Sequence, residues 1–313
     1  MRNIYKNTSA NLNKAKNILK KNNVIAVPTE TVYGLAGNAY SAKSIKKIYK
    51  LKKRPRKNPL IIHYFNLKNL KQDAYFDKNF LKLYKKFSPG PLTYILKKKK
   101  NSKVSLLANA NLKTIAVRFP KHKIIRKLLQ NLKFPLAIPS ANISSAVSPV
   151  SSKDVLDEFS NKIKFILDGG ISKIGLESTV ISLYGKTQIL RPGAINKGQI
   201  AKVLNKKISI LKKTKKITSP GLLKKHYSPG IPIKLNCKKR DDKAAFIVFG
   251  KKYKSNKNVF NLSKSGNLTE AARKLYRTLR QIKNLGYKEI NVVKIPNTRI
   301  GIAINDRLKK ATY

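Results

Sequence analysis

Acidic side chains are the scarcest reactive groups in this 313-residue chain, with 13 Asp and Glu against 70 Lys and Arg. No acid lies between Glu30 and Asp73 or between Glu177 and Asp241, and only Glu30, Asp168 and Glu177 sit in apolar surroundings. A two-carboxylate hydrolase or a carboxylate-built metal cage needs neighbouring acids, and each of these stands alone. No Gly-x-Ser-x-Gly elbow, Walker A loop or Gly-x-Gly-x-x-Gly run is present. One cysteine, Cys237, excludes an internal disulfide and a cysteine-based zinc site, and three scattered histidines argue against a multi-histidine centre. The chemistry that remains is the binding of anions by cations and small polar side chains.

Arginine is the informative cation. Only 12 of the 70 basic residues are arginine, and its planar fork grips phosphate or carboxylate at two points, as an ammonium cannot. Arg54, Arg56, Arg118 and Arg191 fall within motifs. In KKRPRKNPL, alternation between Pro55 and Pro59 predicts an extended segment that sends Lys52, Arg54 and Arg56 to one side. PSANISSAVSPVS (139–151) follows an apolar strand with hydroxyl and amide side chains, the composition of a loop that lets a nucleotide approach the backbone. GLESTVIS and RPGAI add a serine and threonine at a strand start and an arginine before a Pro-Gly turn. Many of the lysines read equally well as a solvated surface in a chain rich in Lys, Asn and Ile, although a net charge of +57 also attracts nucleic acid.

The elements that must hold these groups follow from periodicity. Helices are predicted at 11–21, 41–54, 78–87, 121–131 and 152–160, and strands at 24–27, 60–64, 92–97, 114–120, 136–140, 165–170 and 178–184. This mixture indicates an α/β layered domain over 1–205. Residues 206–234 are lysine-rich and punctuated by Ser-Pro and Pro-Gly steps, which predicts a linker. A second α/β unit fills 235–313, with a strand at 244–250, a helix capped by Asn267 and Glu270 and stopped by Gly286, a strand at 290–295 and a helix at 300–311. No stretch is apolar enough to span a membrane, and the single cysteine points to a reducing, cytoplasmic setting.

Taken together, PTETVYGL (28–35), Lys52-x-Arg54, NPLIIH (58–63), PGPLT (89–93), AVRFP (116–120), Ser140-x-Asn142, ESTV (177–180), RPGAI (191–195) and HYSP (226–229) resemble the YrdC-like family of threonylcarbamoyl-AMP synthases. The resemblance is to the two-domain form and covers essentially the whole chain. It implies a twisted mixed sheet with helices, then a linker and a small Rossmann-like α/β domain. It also implies condensation of L-threonine, bicarbonate and ATP to threonylcarbamoyl-AMP and pyrophosphate, for modification of adenosine beside the tRNA anticodon. By matched position Thr31, His63, Arg118 and Ser178 would surround threonine. Lys52, Arg54, Asn58, Thr114, Ser140, Asn142, Ser148, Arg191 and Tyr227 would face ATP, with Lys52 and Arg54 catalytic and Tyr227 closing over the nucleotide. Mg2+ would arrive with ATP, with no protein-bound metal. The product would pass to a tRNA threonylcarbamoyltransferase, and the basic surface would dock RNA.

Two departures from the family stand out. Lys53 fills the glycine position of a Lys-Gly-Arg triplet, and Leu223 to Tyr227 lacks the first tyrosine of the family's Lys-Tyr-Arg-His-Tyr. Two other classes compete with this reading. A non-catalytic nucleic-acid binder would use the charge alone, and the related carbamoyltransferase of hydrogenase maturation would need cysteine-rich zinc modules that one cysteine cannot build.

Overall fold

A computed structural model describes residues 3–211, 219–222, 226–239 and 241–312. Leu223, Lys224 and Lys225 lie outside the described residues. In chain order the strands of the first unit are β1 (Ile4–Tyr5), β2 (Ile25–Val27), β3 (Gly34–Asn38), β4 (Ile61–His63), β5 (Leu92–Lys97), β6 (Thr114–Arg118), β7 (Leu136–Ala137), β8 (Ile166–Leu167), β9 (Thr179–Ser182), β10 (Gln188–Arg191) and β11 (Ser209–Ile210). They form one mixed sheet in the order β1-β8-β2-β3-β7-β4-β6-β5-β9-β10-β11. Helices α1 (Ser9–Lys20), α2 (Ala42–Lys52), α3 (Leu67–Leu70), α4 (Lys78–Phe87), α5 (Lys123–Gln130), α6 (Ser152–Phe159) and α7 (Lys197–Leu204) accompany it. The second unit has a four-stranded parallel sheet, β12 (Ile233–Leu235), β13 (Ala245–Val248), β14 (Val259–Asn261) and β15 (Ile290–Val292), in the order β12-β15-β13-β14. Two helices, α8 (Leu268–Asn284) and α9 (Gly301–Ala311), complete it.

Strand alternation decides which residues the sheet offers. Ile62, Tyr94, Val117 and Ile181 enter the main core beneath the sheet, so their neighbours in sequence face the other way. There Ile61, Ile95, Ala116, Val180 and Leu190 form a small apolar patch, and His63, Thr93 and Arg118 share its face. The cross-strand registers pair His63 with Arg118, Arg118 with Thr93, Thr93 with Val180, and Val180 with Arg191. Five adjacent strands therefore bring these residues onto one rung.

The basic segment after α2 is not extended. Apolar spacing carries the helix through the buried Lys52, and Lys53 ends it in the left-handed region at φ 48°. The next residues then turn, with the Asn58 amide donating to Pro55 O at 3.0 Å. Arg54 points inward and Arg56 is exposed, so the expected three-residue alternation gives way to a helix end followed by a tight turn. At α8, Asn267 accepts from the amides of Thr269 and Glu270, but the reciprocal half of the expected box is absent. The Asn267 amide donates to Ser263 Oγ, whose own hydroxyl donates to Glu270.

The two units are not independent. Val32, Val147, Val150 and Leu176 of the first pack into the core built on β13, β15, α8 and α9. Strands β11 and β12 lie at the two ends of the expected 206–234 linker, each paired to the sheet of its own unit.

Candidate functional site

The start of β4 and the C-terminal ends of β6 and β10 open into a cavity of about 50 Å3 lined by Thr31, Arg54, Arg118, Ser140, Ser178 and Arg191, with Glu177 and the linker residues Gly221 and His226 also in its wall. Three guanidinium groups thus converge on one small space. Each is braced by protein oxygens. Arg54 donates from Nε to Asn58 O (3.0 Å) and from Nη2 to Pro59 O (2.8 Å). Arg118 donates to Gly90 O (3.3 Å) and to Glu30 Oε1 (2.7 Å). Arg191 holds Ser178 twice, Nε to its carbonyl and Nη2 to its hydroxyl, both at 3.1 Å. Braced forks of this kind lose little freedom when an anion arrives. Burial, with a smaller contribution from Arg191, lowers Arg54 to about 10.

On the threonine side of the prediction, Thr31 lies over Thr29. The Thr29 hydroxyl donates to Val32 O at 2.6 Å, so across the 2.9 Å Thr29–Thr31 contact Thr31 is the donor and keeps its lone pairs for a ligand. Ser178 Oγ meets Thr93 Oγ1 at 2.7 Å. His63 sits behind Arg118 rather than in the cavity wall. Burial and the Arg118 charge push it well below the ordinary histidine range. Its Nδ1 meets Ile61 O at 3.2 Å, which places the proton there and leaves the buried Nε2 unpaired as an acceptor. Glu30 completes this side. Burial alone would raise its carboxyl, but the Arg118 charge and the Lys121 amide hold it below the usual carboxylate range.

The predicted ATP set divides. Arg54, Ser140 and Arg191 line the cavity. Lys52 does not: its Nζ donates to Ser140 O (2.5 Å) and Asn142 O (2.6 Å), and burial followed by Arg54 repulsion pushes it well below an ordinary lysine. It therefore braces the 140–142 loop. Asn142 closes that loop by donating to Ile143 O and Ala146 O while accepting from Ser140 Oγ. Ser148 donates to Glu177 at 2.6 Å. The side-chain amide of Asn58 is buried with neither Nδ2 nor Oδ1 hydrogen-bonded, the state of a group that a ligand or water completes. Thr114 is on the right face but four residues along β6 from Arg118, roughly 13 Å away, beyond the apolar patch. Tyr227 is fully buried against the second unit, with the Arg307 guanidinium 5.0 Å from its ring centre and Tyr276 stacked at 5.9 Å. His226, its neighbour, lines the cavity together with Pro220 and Gly221 of the linker.

A family model described as telomere recombination, covering Sua5, YciO and YrdC proteins, matches residues 17–193, and one described as threonylcarbamoyl-AMP synthase, C-terminal domain, matches 195–312. The threonylcarbamoyl-AMP synthase of Pyrococcus abyssi is 35% identical, over 95% of this chain and 93% of its own. The chain belongs to the threonylcarbamoyl-AMP synthase family. The Bacillus subtilis member is 34% identical over 95% of this chain and 92% of its own. The crystal structure of P. abyssi Sua5 complexed with L-threonine superposes with a TM-score of 0.90 at 33% identity, covering 99% of this chain and 97% of that one.

Several residues of this family site were not visible in the sequence. Thr93 and Thr29 lie inside quoted motifs but show their role only through register and turn geometry. Glu177, one of the lone acids in apolar sequence, finds Tyr276 and Arg307 as partners about a hundred residues away or more. Gly193 of RPGAI packs so closely that a Cβ there would lie 2.3 Å from Thr179 N and 2.6 Å from Ser178 C. Gly193→Ala is therefore expected to displace Ser178 and Arg191, raising the threonine KM about tenfold and lowering stability by about 1–3 kcal/mol. Steady-state kinetics with a thermal melt checks both, and an unchanged KM would show that Ser178 tolerates displacement.

Proposed function

We infer that the chain makes threonylcarbamoyl-AMP from L-threonine, bicarbonate and MgATP, with release of pyrophosphate. The observation that carries this reading is the convergence of Arg54, Arg118 and Arg191 on Ser178 and Thr31 in one cavity, within a chain whose residues 17–193 and 195–312 match the family's two models. Threonine's amine and bicarbonate give the N-carboxylate and water. A carboxylate oxygen then attacks the α-phosphorus, and the bond from that phosphorus to the pyrophosphate oxygen breaks. No protein nucleophile is needed, so the residues act by positioning and charge neutralisation. Arg118 receives the threonine carboxylate. Thr31 and Ser178 address its hydroxyl, while Arg54 and Arg191 face the phosphates. The adenine lies on the Ile61–Ala116 patch with Thr114 at its far edge. Both oxygens of Glu30 and of Glu177 are already engaged, and among the described residues no His/Cys/Asp/Glu cluster could hold a metal. Mg2+ is accordingly read as part of the nucleotide substrate.

A nucleotide is far larger than the cavity, so Gly221 and His226 must withdraw to admit it. Gly221 stands at φ 88°, and a Cβ there would meet Arg191 Cδ at 2.5 Å, so the linker lies directly on the phosphate arginine. The product is a reactive mixed anhydride, and its consumption requires an acceptor enzyme. We assign that role to a tRNA threonylcarbamoyltransferase and propose that the +57 surface docks RNA in a cytoplasmic setting. No helix among the described residues is long and apolar enough to cross a membrane.

Labelled bicarbonate is expected to enter an adenylate only with ATP and L-threonine together. Valine, which lacks the hydroxyl, leaves the Thr31 and Ser178 groups unpaired at about 1–3 kcal/mol each. Its kcat/KM is therefore expected to fall at least about tenfold, and equal turnover of valine would overturn the assignment. Salt discriminates RNA docking, which weakens steeply as salt rises, from threonine-dependent pyrophosphate release, which persists.

A further inference from the structure

The carboxylate of Glu177 stands immediately before Ser178 and is fully enclosed. Three side-chain donors hold it through four contacts, and none comes from its own strand. Ser148 Oγ donates to Oε1 at 2.6 Å, Tyr276 OH reaches Oε1 and Oε2 at 3.1 and 2.9 Å, and Arg307 Nε donates to Oε2 at 2.9 Å. Tyr276 is on α8 and Arg307 on α9, both in the second unit. Arg307 is itself oriented by Asp306, which takes Nη1 at 2.6 Å, and by the Tyr227 ring. The next link is equally specific, because the carbonyl and hydroxyl of Ser178 are the two acceptors that fix Arg191 in the cavity.

We propose that Tyr276 and Arg307 are positioning residues of the reaction, acting through Glu177 to hold Ser178 and Arg191 in their catalytic geometry. The second unit thereby supplies part of the active-site framework from outside the sheet that carries the arginines. The chain of contacts is short: α8 and α9 to the Glu177 carboxylate, along one peptide unit to Ser178, and from Ser178 to the Arg191 guanidinium. With Tyr276 and Arg307 in place the carboxylate is held by those two side chains and Ser148. Without them Glu177 is free to swing onto Arg191, whose charge already acts on it, and to withdraw that fork from the phosphates. Arg273 on α8 donates from Nε to Lys173 O at 2.9 Å in an exposed position.

The proposal rests on the synthase reading above, and the test separates the two. The full chain is assayed for threonine-dependent pyrophosphate release and for MgATP Kd as wild type, Tyr276→Phe, Arg307→Lys, Arg307→Met, Glu177→Gln, Arg273→Gln and the Tyr276→Phe/Glu177→Gln pair. Tyr276→Phe keeps the ring and its stacking and removes only the hydroxyl. It is expected to lower kcat about tenfold and, because Ser178 is displaced as in Gly193→Ala, to raise the threonine KM as well, and Arg307→Lys, which keeps the charge, is expected to lose less than Arg307→Met. In the Glu177→Gln background, loss of the Tyr276 hydroxyl is expected to add nothing further to either kcat or MgATP Kd, the non-additivity of residues acting through one group. Arg273→Gln is expected to leave both at wild-type values. Independent, additive effects of Tyr276→Phe and Glu177→Gln would overturn the proposal, as would an unaffected Tyr276→Phe or an Arg273→Gln variant equally impaired. A wild-type chain with no threonine-dependent release would instead remove the synthase reading, and this proposal with it.

Discussion

Arg54→Lys is expected to lower kcat/KM for MgATP by about a hundredfold, which corresponds to about 2.7 kcal/mol. The guanidinium does two things at once. Its Nε and Nη2 hold the carbonyls of Asn58 and Pro59 at 3.0 and 2.8 Å, which fixes the turn after α2, and its remaining edge faces the cavity. A lysine has one nitrogen and cannot both hold the turn and meet a phosphate. It also leaves two buried carbonyls without their charged donor, a loss of about 1.5–3 kcal/mol per bond. The neighbouring position is the control. Lys53 is exposed and left-handed at φ 48°, a conformation in which glycine carries no Cβ penalty. Lys53→Gly is expected to leave kcat/KM within about twofold and to raise stability by about 0.5–1 kcal/mol. Pyrophosphate release at the wild-type rate by Arg54→Lys would show that Arg54 serves the turn alone.

The same helix end shows where the sequence could and could not be read. Periodicity placed α2 within two residues at its C-terminus, because Ile45, Ile48 and Tyr49 are spaced for one buried face. The prolines at 55 and 59 then suggested an extended segment, but proline fixes only its own φ and biases its predecessor. It does not forbid the turn that Arg54 and Asn58 stabilise. Short strands in charge-free or glycine-rich sequence, such as β3 (GLAGN), carried no alternation to detect and exist because neighbouring strands pair with them. The rung of His63, Arg118, Thr93, Val180 and Arg191 depends on non-local register, which no single segment encodes. The motifs still contained most of the cavity wall, because loops that grip anions need residue types that are rare in this lysine-rich chain. The contribution of Tyr276 and Arg307 left no local trace, since their partner, Glu177, lies about a hundred residues or more upstream.

Deleting everything after residue 205 tests how far the second unit is part of the active site, and the first unit alone is expected to turn over at least about a hundredfold more slowly. The sequence predicts two α/β units joined by a linker, with Tyr227 closing over the nucleotide. The structure alters the reason for the expected loss. Truncation removes Tyr276 and Arg307 from Glu177, leaving Ser148 as its surviving side-chain donor, and exposes Val32, Val147, Val150 and Leu176, which pack into the second unit's core. In the full chain burial would raise Glu177, but Arg307 first and Arg191 second bring it down to about 2. A depressed carboxyl stabilises the folded state above its unfolded value, about 4.5, and that contribution disappears as pH falls towards 2. The full chain is therefore expected to unfold more readily across that acid window, and the truncated unit to lack that component of the dependence. Truncation also removes His226 and Gly221 from above Arg191, so water reaches the mixed anhydride and adenylate recovered per pyrophosphate released is expected to fall with the rate. Measuring that ratio beside a pH-dependent melt separates the two losses. A low rate with an undiminished ratio assigns the second unit to the Glu177 clamp alone, whereas full-length rate and ratio in the truncated unit would exclude both roles.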